Sequence, residues 1–97
     1  MPYITQIARD EIDPRLFPIL NHIEGLAEGE LNYVITRIID RWARVDGYVA
    51  FNAVRGVLSE VGDEFRRRRV VPYEERKRLL NGDVYGIVPT SPQPSEA

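Results

Sequence analysis

The stretch Leu31-Asn32-Tyr33-Val34-Ile35-Thr36-Arg37-Ile38-Ile39-Asp40-Arg41-Trp42 decides the fold class. Leu31, Val34, Ile35, Ile38 and Trp42 fall at i, i+3, i+4, i+7 and i+11, so a helical backbone brings them to one face. Arg37, Arg41 and Arg44 repeat at the same period on the opposite side. A turn through Glu28-Gly29 leads into this helix, and Asp46-Gly47 ends it.

Towards the C-terminus, Phe51, Val54, Leu58, Val61 and Phe65 alternate spacings of three and four, the pattern of a coiled-coil seam. They predict a long helix from about Tyr48 to Arg69. Gly56 and Gly62 each cost such a helix about 1 kcal/mol relative to Ala, which reads as close approach by another helix. Val71 precedes Pro72, and the proline disfavours helix at the residue before it, so the helix is expected to stop there. Pro72-Tyr73-Glu74-Glu75 starts a further helix anchored by Leu79 and Leu80. Asn81-Gly82-Asp83 is a turn. Val84 to Val88 is expected as a short strand, paired with Tyr3-Ile4.

Towards the N-terminus, Asp13-Pro14 reads as a helix start. Leu16, Leu20 and Ile23, with Phe17 beside them, give an apolar stripe. A helix is expected over 14–24, with Pro18 in its first turn and Gly25 as C-cap. The expected architecture is all-α: a small helical bundle with a long antiparallel helix hairpin about Gly47. Residues 1–88 form the single domain and 89–97, with three prolines and no apolar period, a disordered tail.

The 97 residues leave room for one modest domain, which by itself buries little surface and gains from a partner subunit. The chain has no cysteine, which removes disulfides, thiolate metal sites and cysteine nucleophiles. His22 is the one histidine, so a His-rich metal site is excluded and no cofactor is expected. The first residues lack the basic-then-apolar pattern of a signal peptide, and no apolar run approaches the roughly 20 residues that span a bilayer. A cytoplasmic, non-membrane protein is the expectation.

Charge is unevenly placed. Met1 to Glu64 carries six basic residues against eleven acidic ones, a balance of −5. Arg66 to Arg78 carries seven against two, a balance of +5. An acidic body thus bears a basic segment.

No phosphate-binding glycine loop or dinucleotide fingerprint occurs. Ser59, the only serine before the tail, has no partner that spacing can name, and His22 lies one residue off the apolar stripe. Glu60, Asp63 and Glu64 are better explained as helical ion-pair partners, Asp63 with Arg67 and Glu64 with Arg68, than as an acid/base set. The chain does not read as an enzyme.

Arg66, Arg67, Arg68 and Arg69, followed by Tyr73, Arg76 and Lys77, form the sharpest candidate site. Cations at a helix C-terminus complement its dipole. Successive residues sit about 100° apart around a helix, so four in a row cannot all face the same acids. Arginine's planar fork binds phosphate or carboxylate bidentately. The cluster therefore reads as an anion site, a salt-bridge interface or a plain solvated face. Asn32, Tyr33 and Asn52 form a second, polar candidate, for which first-turn placement is an equal explanation.

Gly29 to Thr36, Gly56-Val57-Leu58 with Glu60, Arg67-Arg68, Pro72-Tyr73-Glu74, Asn81 to Tyr85 and Pro2-Tyr3-Ile4 together resemble a family of short, uncharacterised phage and prophage proteins. The resemblance runs over about residues 2–85. It implies a phage-related setting in a bacterial or infected cell and no particular chemistry. The run Arg66–Arg69 and Pro18 depart from the pattern.

Together these features predict a non-catalytic binding protein acting as a homo-oligomer, most simply a dimer. It would hold a host protein or a phosphate-bearing nucleotide through the arginines. The alternative is a small nucleic-acid-binding accessory protein, which the acidic overall balance opposes.

Overall fold

A computed structural model describes residues 1–86. The described chain is all-helical: α1 Gln6–Leu20, α2 Glu28–Trp42, α3 Tyr48–Phe65, a π-helical segment Arg66–Val70, and α4 Val71–Asn81. The described residues fall into two units, one of Met1–Gly62 and one that begins at Asp63.

In the first unit, α1 starts well before the expected position. Thr5 is its N-cap, in extended conformation with its hydroxyl 3.3 Å from the Ala8 N–H it accepts from. Asp13-Pro14 therefore lies mid-helix, and Pro18 sits in the last turn rather than the first. Each proline lacks the N–H that would bond the carbonyl one turn back, so α1 is a weak helix by composition. It ends at Leu20. A run of turns leads on to Gly25, whose φ of +83° is the left-handed conformation that glycine adopts without strain.

The Glu28-Gly29 pair, read as a turn, is instead the first turn of α2. The Glu30 carboxylate reaches back 2.8 Å to accept from the Ala27 N–H and so satisfies one orphan donor at the helix start. The helix ends at Trp42, four residues before the Asp46-Gly47 stop. Helix α3 begins at Tyr48 as expected, with the Gly47 carbonyl accepting from the Phe51 N–H at 2.9 Å.

In the second unit the expected break before Pro72 does not occur. The backbone passes from Phe65 to Asn81 without leaving helical conformation. Val71 N–H donates to the Arg66 carbonyl, five residues back, where an α-helix would bond four back. Inside an α-helix the Pro72 ring would collide with the preceding turn. A wider π turn in front of it absorbs one extra residue and lets the helix continue.

The chain then turns at Gly82, where φ is 91° and ψ 156°, and the Gly82 N–H caps the Arg78 carbonyl at 2.9 Å. The expected strand from Val84 does not form over the described residues 84–86; positions 87 and 88, and the tail 89–97, lie outside them. The local reason is that Asp83 Oδ1 accepts from the Tyr85 N–H at 2.9 Å, holding the chain in an Asx-type turn. Tyr3-Ile4 offers no strand either, because the Ile4 N–H closes on the Pro2 carbonyl.

Among the described residues none is buried. The apolar faces read from the sequence are present on α2 and α3, whereas the stripe expected on the first helix is not completed, because Ile23 falls in the turns after Leu20; the large apolar side chains remain open, Phe17 53 % exposed, Trp42 61 % and Leu80 78 %. Gly56 and Gly62, expected to admit a neighbouring helix, have nothing within 4 Å of where a Cβ would stand.

Candidate functional site

The second unit holds the arginine cluster. The π segment contributes Arg66 to Arg69, and α4 contributes Tyr73, Arg76 and Lys77. Successive residues of a helix lie about 100° apart, so these cations spread around the axis and do not share one face.

Their partners separate them. Arg67 donates to the Glu64 carboxylate, a pair three residues apart. The expected pairs one residue longer, Asp63 with Arg67 and Glu64 with Arg68, are not made. The Arg69 guanidinium stands 5.4 Å from the centroid of the Phe65 ring, a cation–π distance. Arg66 and Arg68 have neither an ion pair nor a ring contact among the described residues.

On α4, Arg76 at 5.8 Å and Lys77 at 5.6 Å both approach the Tyr73 ring. Arg78 is tied down instead: Nε and Nη2 donate to Glu75 Oε2 at 3.3 and 2.9 Å, and Asp83 lies 3.8 Å away. The hydrogen bond to Glu75, aided by the Glu75 charge, raises the Arg78 pKa above the usual arginine value. Arg78 is thus a structural cation. Arg66, Arg68, Arg76 and Lys77 keep their charge uncompensated by any carboxylate among the described residues.

In the first unit, residues of α2 and α3 line a groove of about 700 Å³. Its floor is apolar, from Ile35, Ile39, Phe51, Val54 and Leu58, and Asn32, Asp40, Asp46 and Arg55 stand among them. Of the polar candidates only Asn32 lines it. Thr36 Oγ1 donates to the Asn32 carbonyl at 2.8 Å and lies 3.3 Å from its Oδ1. Tyr33 is engaged elsewhere, its hydroxyl accepting from Arg37 Nη1 at 2.9 Å with the guanidinium 5.8 Å from its ring. Asn52 is exposed and absent from the groove lining. The three polar residues do not line one site.

Two features are not legible in the sequence. The π turn is signalled by Pro72, which marks a conflict with the α-helix but not how the chain resolves it. Asp40 and Asp46 carry no motif, and only the juxtaposition of α2 and α3 puts them beside an apolar floor. No group of His, Asp and Glu able to hold a metal occurs among the described residues, and none of their helices is long and apolar enough to cross a membrane.

These observations define a small all-helical chain with open apolar faces and a cationic helical segment built across a π turn. The chain belongs to the family described as Domain of unknown function (DUF6899), whose model matches residues 1–84. No curated protein and no solved structure matches it.

Proposed function

We propose that this chain is a non-catalytic binding protein that completes its fold as a homo-oligomer, most simply a dimer. The observation that carries this reading is the absence of any buried residue among positions 1–86. In the assembled state α2 and α3 close into an antiparallel hairpin of a helical bundle.

The oligomer presents Arg66 to Arg69 to a phosphate-bearing nucleotide. Support comes from the two arginines without carboxylate partners, Arg66 and Arg68, and from their place in a π turn, a geometry that recurs at functional sites. The setting is a phage-related one in the bacterial cytoplasm, which the motif resemblance over residues 2–85 supports. A host protein surface is the other partner these arginines suit, and nucleic acid the alternative ligand.

Light scattering after size exclusion, at about 0.1 and about 1 M salt, tests the reading, because the two conditions bracket strong and weak screening. An oligomer that persists at both is expected, held by apolar area. A monomer at both that is cooperatively folded would overturn it. A fluorescent duplex or single strand separates the alternative: phosphate-driven binding weakens steeply with salt, and a calorimetric response to nucleotides without such binding favours the small ligand.

A further inference from the structure

The first unit offers an apolar floor whose lining carries two carboxylates with no ion-pair partner among the described residues, Asp40 and Asp46, against one cation, Arg55. The second unit offers the converse. Leu79 and Leu80, 74 % and 78 % exposed, end a helix whose preceding turn carries Arg76 and Lys77, neither with a carboxylate partner. Tyr73, Arg76 and Leu80 succeed one another at spacings of three and four along α4, so one face of that helix runs from cation to apolar anchor. In the floor, Ile35 and Ile39 lie four apart on α2, with Asp40 adjacent in sequence.

We propose that a second copy of this chain covers the groove between α2 and α3 by laying its own α4 there. Leu79 and Leu80 fill the floor, and Arg76 and Lys77 meet Asp40 and Asp46. The proposal rests on the homo-oligomer reading and names its interface. A second copy is the occupant that the charges select, because an acidic body and a basic segment on one chain are each other's complement. The exchange is reciprocal about a two-fold axis: each copy gives an α4 and receives one, so the assembly closes at two. Arg66 and Arg68, on the π segment, play no part in this contact and stay available.

Charge exchange between two full-length variants tests this. One variant carries Asp40→Arg and Asp46→Arg, the other Arg76→Glu and Lys77→Glu. Each alone places like charges across both copies of the contact, and self-association should weaken by about 100-fold or more. Mixed together, the two variants regain opposite charges at one of the heterodimer's two contacts while the other contact joins the unaltered partners, and light scattering should show the dimer mass restored. If the wild type is a dimer and neither variant disturbs it, the docking is wrong while the oligomer reading stands. If the wild type is a monomer, the oligomer reading has failed first. A mixture that stays monomeric although both variants keep their helicity overturns the proposal.

Because the chain has no cysteine, a second measurement covers variants that fail to fold. Ala43→Cys in one chain and Leu80→Cys in another should give a mixed disulfide on oxidation. Cross-linking only within a chain carrying both cysteines, or none at all, would overturn the inter-chain contact.

Discussion

Gly56→Ala separates the physics of a lone helix from that of a packed one. Gly56 lies inside α3, where glycine loses more backbone freedom on folding than alanine and contributes no side chain. The penalty relative to Ala is about 0.8–1.0 kcal/mol in a helix interior. In this structure a Cβ at Gly56 would meet nothing within 4 Å, so no steric cost offsets the gain. Gly56 is also absent from the groove lining, which places it off the surface assigned to the second copy.

The substitution should therefore stabilise the protein by nearly the whole propensity difference. For a chain of this size about 1 kcal/mol corresponds to roughly 4–8 °C in the thermal midpoint. The assay is thermal unfolding tracked by far-ultraviolet circular dichroism at two or more protein concentrations, because an obligate oligomer's midpoint shifts with concentration. Wild type and variant should show parallel concentration dependence, with the variant higher throughout. A lowered midpoint, or an oligomer that dissociates in the variant alone, would refute the reasoning. It would mean that another helix rests directly on Gly56.

Pro72→Ala restores the missing amide and removes the ring that disfavours the α-helix; backbone chemical shifts over 66–71 should change from the π to the α pattern, with a gain in helicity. Persistence of the five-residue hydrogen bond would show that the proline is not its cause. Gly82→Ala puts a Cβ at φ 91°, ψ 156°, a region essentially reserved to glycine. It should cost about 1–3 kcal/mol and fray the end of α4, seen as faster amide exchange at position 82 and its neighbours; unchanged protection would contradict the cap.

How much of this is legible in the sequence depends on which forces are local. The i, i+3, i+4 spacing of Leu31 to Trp42 identifies α2, and the seam from Phe51 to Phe65 identifies α3, because helical periodicity is a property of the chain itself. The start of α1 is misplaced by sequence because Asp13-Pro14 and Thr5 are both acceptable starts, and local propensity does not rank them. Arg66 to Arg69 stand out by composition, yet their division into paired Arg67, ring-stacked Arg69 and carboxylate-free Arg66 and Arg68 depends on side-chain directions after the π turn.

The sequence by itself thus determined the helical class, the acidic and basic division and the apolar faces of α2 and α3, all of which are written in residue order. The three-dimensional structure decided what residue order leaves open: that the chain runs through Pro72, that Asn32, Tyr33 and Asn52 do not share one lining, and that Asp40 and Asp46 stand with an apolar floor. The physical reason is that periodicity fixes which face of a helix is apolar but not what covers it. No described residue is buried, and the dimer proposed above would supply the covering surface.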